Sequence, residues 1–269
     1  MADPLLEDVG TLLREAAAKV VVPLFRRLDE ADISEKAPGE VVTVADREAE
    51  ALISEGLRQL LPGSVVVGEE AVAEDPDLLR HLRGSGDVWL VDPVDGTSNF
   101  AAGRRPFALM AALLTDGVPV ASWVYDPLDG TMAAGRLGAG TRLDGATLRT
   151  PPAEPRVGAL RGTAATKFLP PDFRRQVEEG GRRIGELLPG QHCAGREYLD
   201  ILTGAQQFVL FWRTLPWDHT PGTLLVREAG GVARRFDGAD YHPADDGKGL
   251  LVAASPEIWD EVSAALLGG

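Results

Sequence analysis

Cysteine is almost missing from this chain: Cys193 is the single one in 269 residues. One thiol closes no intrachain disulfide and builds no thiolate metal cluster. With no histidine set beside it by the sequence, it is read as a small packing or pocket-lining residue, not as a nucleophile. Histidine is scarce too, at four. Positive charge is in deficit, 27 Lys and Arg against 41 Asp and Glu, for a formal charge of −14. That balance argues against a general nucleic-acid or anionic-membrane surface. No apolar run approaches the roughly 18 residues of a membrane span. Met1-Ala2-Asp3-Pro4 lacks the basic start of a signal peptide, so a cytoplasmic location is expected. What is present is ordinary for a globular protein: 44% hydrophobic and 25% charged residues. The length suffices for one α/β domain or two closely joined lobes.

The informative stretch runs from Val88 to Phe100. Val88-Trp89-Leu90-Val91 is apolar without alternation, the pattern of a strand buried on both faces. Asp92 and Asp95 follow, with Pro93 between them, and the proline is expected to stop the strand and turn the chain. Two carboxylates at a buried strand tip repel each other unless a cation or a proton lies between them. Oxygen ligands without a Cys or His cluster point to a hard ion such as Mg²⁺, which normally shares its sphere with water and substrate phosphate. Gly96-Thr97-Ser98 then offers backbone N–H groups to an anion at a helix start.

Spacing tests the rivals. An EF-hand counted from Asp92 would need oxygen side chains where Val94, Gly96 and Gly103 stand. A Walker A loop needs Gly-Lys-Ser/Thr, which is absent here. A plain Asx turn is the bland reading, and Asp116-Gly117, Asp129-Gly130, Asp144-Gly145 and Asp237-Gly238 are read that way.

Asp92-Pro93-Val94-Asp95-Gly96-Thr97-Ser98-Asn99-Phe100 is similar to the signature of the inositol monophosphatase family of Mg²⁺-dependent, lithium-sensitive phosphatases. Val67-Gly68-Glu69-Glu70 upstream and Pro216-Trp217-Asp218-His219-Thr220-Pro221-Gly222 downstream, followed by Glu228-Ala229-Gly230-Gly231, fall in the family's order. The resemblance covers essentially the whole chain, though between about Pro151 and Gln191 only length and element order support it. It implies an α/β (α+β) fold, a layered α/β/α/β/α sandwich with a largely antiparallel first sheet. It also implies a phosphomonoesterase of small sugar or polyol phosphates with two Mg²⁺ ions and a weaker third, and a homodimer. Glu69, Asp92 and the Val94 carbonyl are implied as ligands of one ion, and Asp92, Asp95 and Asp218 as ligands of the other. Thr97 and Asp46 are implied to orient the attacking water, and Asp95, Gly96, Thr97 and Ala194 to meet the substrate phosphate.

Read in order, Leu5 to Leu28 carries apolar residues at helical spacing, one long amphipathic helix with Pro23 as a kink. A polar loop with Pro38-Gly39 follows. Thr43 is an N-cap with Asp46 in the first turn, and the helix continues past Leu57. Val65 to Glu70 is a strand whose two terminal acids should point to opposite sides, with Glu70 either a partner of Glu69 or a solvated neighbour. Residues 106–114, 118–125 and 131–134 read as meander strands and 135–145 as a further hairpin. Pro151 to Pro155 is a hinge between lobes of about 1–150 and 156–269 in the single domain spanning 1–269. Val157 to Ala164 reads as a strand, Asp172 to Leu188 as a helix, Glu197 to Thr203 as a short helix and Phe208 to Trp212 as a buried strand. Asp218 fits a helix N-cap on its own, with Pro221 in the first turn, and a metal ligand together with the other motifs. Strands at 232–236 and 250–254 and a helix at 256–267 close the chain.

The substrate side departs from the family's pattern. The inositol-specific enzymes carry an acid shortly before Trp-Asp that holds a substrate hydroxyl, yet no Asp or Glu lies between Asp200 and Asp218. Leu210-Phe211-Trp212-Arg213 stands there, and Cys193-Ala194-Gly195-Arg196 replaces the small-residue loop. Arg196, Arg213 and Lys167 are candidates to meet a second phosphate or a carboxylate, against the common case of solvated surface cations. The alternatives kept open are a fructose-1,6-bisphosphatase, a 3′-phosphoadenosine phosphatase, or a non-catalytic metal or phosphate binder.

Overall fold

Apolar residues three and four apart make the start of the chain helical in the computed structural model, which describes residues 3–37 and 39–268. Helix α1, Pro4–Ala16, buries Val9, Leu13 and Ala16, and its first turn is capped by the Asp3 side chain accepting from the Leu5 N–H at 3.1 Å. It passes through a π-turn at Ala17–Val21 into α2, Val22–Leu24. Pro23 has no N–H for the Lys19 carbonyl, and the widened turn just before it relieves the clash of its ring. The expected helix therefore ends at Leu24, short of Leu28.

The polar stretch expected as a loop is an antiparallel hairpin of β1, Ile33–Ala37, and β2, Glu40–Thr43. Pro38 lies outside the described residues. Helix α3, Val44–Leu60, begins in a capping box: Thr43 Oγ1 accepts from the Ala45 N–H, and Asp46 Oδ2 accepts from the Thr43 N–H. Strand β3, Val65–Gly68, is shorter than expected, because Glu69 and Glu70 open helix α4, Glu69–Glu74. A 3₁₀ segment, Pro76–Arg83, leads into β4, Asp87–Asp95.

Pro93 does not end β4. Asp92 pairs with Met110 and Asp95 with Ala108, so residues 93 and 94 together oppose a single partner position. The strand absorbs the proline in a bulge, where a missing N–H breaks no regular ladder bond. Helix α5, Thr97–Ala101, follows Gly96, whose φ is +90°.

The meander is as the apolar runs and Asp-Gly turns suggest: β5, Ala108–Thr115, β6, Val118–Asp126, β7, Thr131–Arg136, β8, Gly140–Leu143, and β9, Ala146–Leu148. Seven strands form one sheet in the order β3 to β9, parallel between β3 and β4 and antiparallel elsewhere. Along β5, Leu109, Ala111 and Leu113 pack with Val9, Leu13, Ala49 and Ile53 of the first helices. Ala108 and Met110, on the other face, pack with residues of the second half.

In that half a 3₁₀ turn at Val157–Ala159 precedes β10, Arg161–Ala164, so the strand starts later than its apolar run. Helix α6, Pro171–Gly181, ends at paired glycines, seven residues before the expected Leu188, and Glu186–Leu188 is β11. A Cβ at Gly180 would lie 2.0 Å from the Ala265 carbonyl oxygen, so glycine is what lets α6 approach the last helix. Then come α7, Ala194–Thr203, β12, Phe208–Phe211, α8, Pro216–Glu228, β13, Val232–Arg234, β14, Leu250–Ala253, and α9, Pro256–Leu266. The second sheet runs β11-β10-β12-β14-β13, parallel on one side and antiparallel on the other. Helix α8 touches the first sheet on one side and β13 and β14 on the other, and α9 covers β12 and β14 from outside. The layers are thus α/β/α/β/α. No described helix is long and apolar enough to cross a membrane.

Candidate metal centre and active site

Three acids from distant parts of the chain meet between the layers. Glu69 is the first residue of α4, Asp92 stands at the β4 bulge, and Asp218 lies in the first turn of α8 behind Pro216. Asp218 is therefore inside its helix, not the N-cap; Leu215 holds that position. One carboxylate oxygen from each of the three lies within 4.8 Å of the others, and among the described residues this is the one such trio. Asp92 is 2% exposed. Burial first, then repulsion from Glu69 and the other acids, pushes the Asp92 and Asp218 carboxyls well above the usual range. Three carboxylates, one buried and two half-buried, with no histidine or thiolate among them, fit a hard divalent cation by donor chemistry and charge.

The bulge explains how Asp92 and Asp95 serve one cleft. In a regular strand, residues three apart point to opposite faces. Here their partners Met110 and Ala108 are two apart, so both aspartates face the α7 and α8 layer. Asp95 nevertheless stands outside the trio. Its Oδ1 accepts from the Ala194 N–H at 3.1 Å, and its Oδ2 accepts from the Gly195 N–H at 2.6 Å and the Cys193 thiol at 3.1 Å. It caps α7. Burial lifts its pKa to about 6 against the pull of these donors. Ala194, expected beside the substrate phosphate, has its N–H turned to Asp95. Cys193 is buried at this contact, and burial with the Asp95 charge pushes its thiol up.

Thr97 Oγ1 lies 3.0 Å from Asp46 Oδ1 and 2.9 Å from the Val94 carbonyl. Asp46 Oδ2 accepts in addition from the Thr43 hydroxyl at 2.6 Å. Burial raises the Asp46 carboxyl to about 6, with these donors opposing. Gly96, just before, needs its left-handed φ of +90°, and a Cβ there would come within 3.0 Å of the Pro106 carbonyl.

Glu69 and Glu70 do not point apart. Both reach Lys36 on β1, whose Nζ lies 2.8 Å from Glu69 Oε1 and 2.6 Å from Glu70 Oε1. Burial works against the Lys36 charge, but the two glutamates outweigh it and hold its pKa above the usual value. Burial lifts Glu70 to about 7, with Lys36 opposing. Lys36 escaped the sequence reading because its surroundings there are polar and carry no motif.

The cleft has a volume of about 980 Å³. At its mouth Phe168 is 48% exposed, with Lys167 and Arg213 each 5.0 Å from its ring centre. Arg213 also pairs with Glu40 of β2 at 2.8 Å. Arg196 does not serve the cleft: it is bound to Asp200 at 2.7 Å and to Asp129 at 3.2 Å. His219 is buried and neutral, its pKa lowered to about 3 by burial. It accepts from the Tyr198 hydroxyl and donates to the Arg213 carbonyl, which steadies the turn before α8.

Comparison with known proteins agrees with this geometry. The inositol monophosphatase family profile matches residues 4–268. The "Nus factor SuhB" of Salmonella typhimurium strain LT2 is 30% identical over 251 residues, 90% of this chain and 88% of that protein. An "Inositol-1-monophosphatase" of Rhizobium meliloti is 30% identical over 227 residues, 82% of each chain. The solved IMPase of Thermotoga maritima superposes with a TM-score of 0.83 at 24% identity, covering 99% of this chain and 98% of that one. With a profile match over nearly its full length, the chain belongs to the inositol monophosphatase family and is a phosphatase of that kind.

Proposed function

We propose that the protein releases phosphate from a small sugar or polyol phosphate in a reaction that depends on Mg²⁺. The observation that carries this reading is the trio of buried Asp92 with half-buried Glu69 and Asp218, next to the Thr97 and Asp46 pair. Phosphomonoesters hydrolyse extremely slowly in water, so the site must orient a nucleophile and neutralise charge on the departing oxygen. Divalent cations, two or three of them, would supply that neutralisation and acidify water. Glu69, Asp92 and Asp218 would hold them, with the Val94 carbonyl and Asp95 completing the set.

The chain's own part in the reaction follows from its hydrogen bonds. Thr97 Oγ1 donates toward Asp46 Oδ1, which leaves its lone pairs free to accept a proton from the attacking water. A carboxyl titrating near 6 takes that proton at neutral pH without holding it permanently. Asp46 is in turn fixed by both donors of Thr43. Gly96 and Thr97 face the same cleft, where their backbone would meet the phosphate oxygens.

Arg213 and Lys167 at the mouth, with no acid between Asp200 and Asp218, favour a leaving group carrying an anionic substituent over a neutral inositol. A fructose bisphosphate or a 3′-phosphoadenosine compound is the second reading, on the same observation. In this proposal the enzyme is a cytoplasmic homodimer with lobes at 1–150 and 156–269. The test is phosphate release across a panel of sugar, polyol and nucleoside phosphates, with Mg²⁺, without it, and with added Li⁺. Silence on every ester while metal still binds would mean a non-catalytic binding protein.

A further inference from the structure

Helix α4 lacks a cap of its own. Its N-cap residue is Gly68, which has no side chain to offer, and no cap hydrogen bond forms there. The Glu50 carboxylate arrives instead from α3: Oε2 accepts from the Glu70 N–H at 2.8 Å and Oε1 from the Ala71 N–H at 2.9 Å. These are the second and third residues of α4, the donors a cap side chain would normally satisfy. Glycine at 68 is what admits the visitor. A Cβ there would lie 2.3 to 2.5 Å from three atoms, all of the Glu50 carboxyl group. Glu50 is 7% exposed, and burial raises its pKa while the two N–H groups oppose.

Glu50 lies four residues after Asp46, so the two acids project from the same side of α3 one turn apart. Asp46 takes hold of Thr97 and Glu50 takes hold of the helix that begins with Glu69. We propose that Glu50 is a positioning residue for metal binding: from α3 it caps α4 and thereby sets where the Glu69 carboxylate stands relative to Asp92 and Asp218. The inference rests on Glu69 being a metal ligand. A neutral amide at position 50 keeps one acceptor and turns an NH₂ against the other N–H, so even an isosteric change loosens α4.

The experiment is Mn²⁺ titration by calorimetry on the full chain, alongside thermal unfolding of the metal-free protein. Glu50→Gln is expected to weaken Mn²⁺ binding by about tenfold or more, the usual effect of losing an outer support of a metal ligand. Glu50→Ala should do the same. Adding Gly68→Ser to Glu50→Ala moves the cap into α4 itself, in the space the carboxylate vacates, and should recover most of the lost affinity. Unchanged affinity in Glu50→Gln, or a lowered melting temperature with unchanged affinity, overturns the proposal. So does a folded double variant that regains nothing. If the unaltered protein binds no Mn²⁺, the metal reading of Glu69 fails first; if it binds and Glu50→Gln matches it, only the role of Glu50 fails. Where Glu50→Ala does not fold, the comparison of Glu50→Gln with the double variant decides.

Discussion

On the proposed function, metal binding to this site should release protons, and the size of that effect follows from how far burial and mutual repulsion raise its acids. In the metal-free protein Asp92 and Asp218 are pushed well above the carboxylate range, and Asp95 and Asp46 to about 6. A cation needs the deprotonated forms, so each proton it displaces costs about tenfold in affinity, or about 1.4 kcal/mol, for every pH unit below the pKa. The metal-free fold responds in the opposite direction. A carboxyl raised in the folded state binds its proton when the unfolded chain has already lost it. Stability from that group is therefore present at low pH and is lost as pH climbs from its ordinary 3.8 through about 6, by about 3 kcal/mol for Asp46 alone. The extra stability given by Mn²⁺ should then grow steadily from pH 5 to pH 7.5. His219, its pKa lowered to about 3 by burial, is neutral throughout this range and adds nothing to the metal-free slope. Differential scanning calorimetry with and without Mn²⁺ gives the increment, and titration in buffers of different ionisation enthalpy counts the protons. An increment that is flat across this range, with no protons released, would refute the crowded trio as the metal site.

Three further outcomes follow. Asp218→Asn should fold as the parent does, seen in an unchanged far-ultraviolet spectrum, while losing turnover, because it removes one charge of the trio and leaves the helix interior intact; full activity would remove Asp218 from the site. Thr97→Ala should cut kcat by about a hundredfold or more, whereas Thr97→Ser keeps the hydroxyl and most of the rate. Gly180→Ala should lower stability by about 1–3 kcal/mol in urea unfolding with kcat unchanged, since its Cβ meets the Ala265 carbonyl 2.0 Å away and must push α6 from α9.

Much of this was legible in the chain. Apolar runs and Asp-Gly turns gave the meander, and Thr43 with Asp46 marked the start of α3, because those signals act over a few residues. What escaped depends on partners far away in sequence. Pro93 reads as a strand stop, but pairing with β5 on either side of it, at Asp92 and at Asp95, carries the strand through in a bulge. Gly68 reads as the interior of a strand running on to Glu70, and only the arrival of Glu50 shows that the strand stops there and Glu69 begins a helix. Arg196 reads as a free cation until Asp200 and Asp129 are seen beside it. Glu50 carries nothing in sequence but its place one turn beyond Asp46. Lys36 lacks even that.

The extra residue in β4 makes the site a matter of parity. Pairing this segment as a regular strand, with all four residues from Asp92 to Asp95 kept and no bulge, would leave every acid in the chain and swing Asp95 through the sheet, into the greasy layer beneath α1 and α3. A relative that keeps this spacing but not the bulge could hold the full inventory of carboxylates and still have no cleft for them to share.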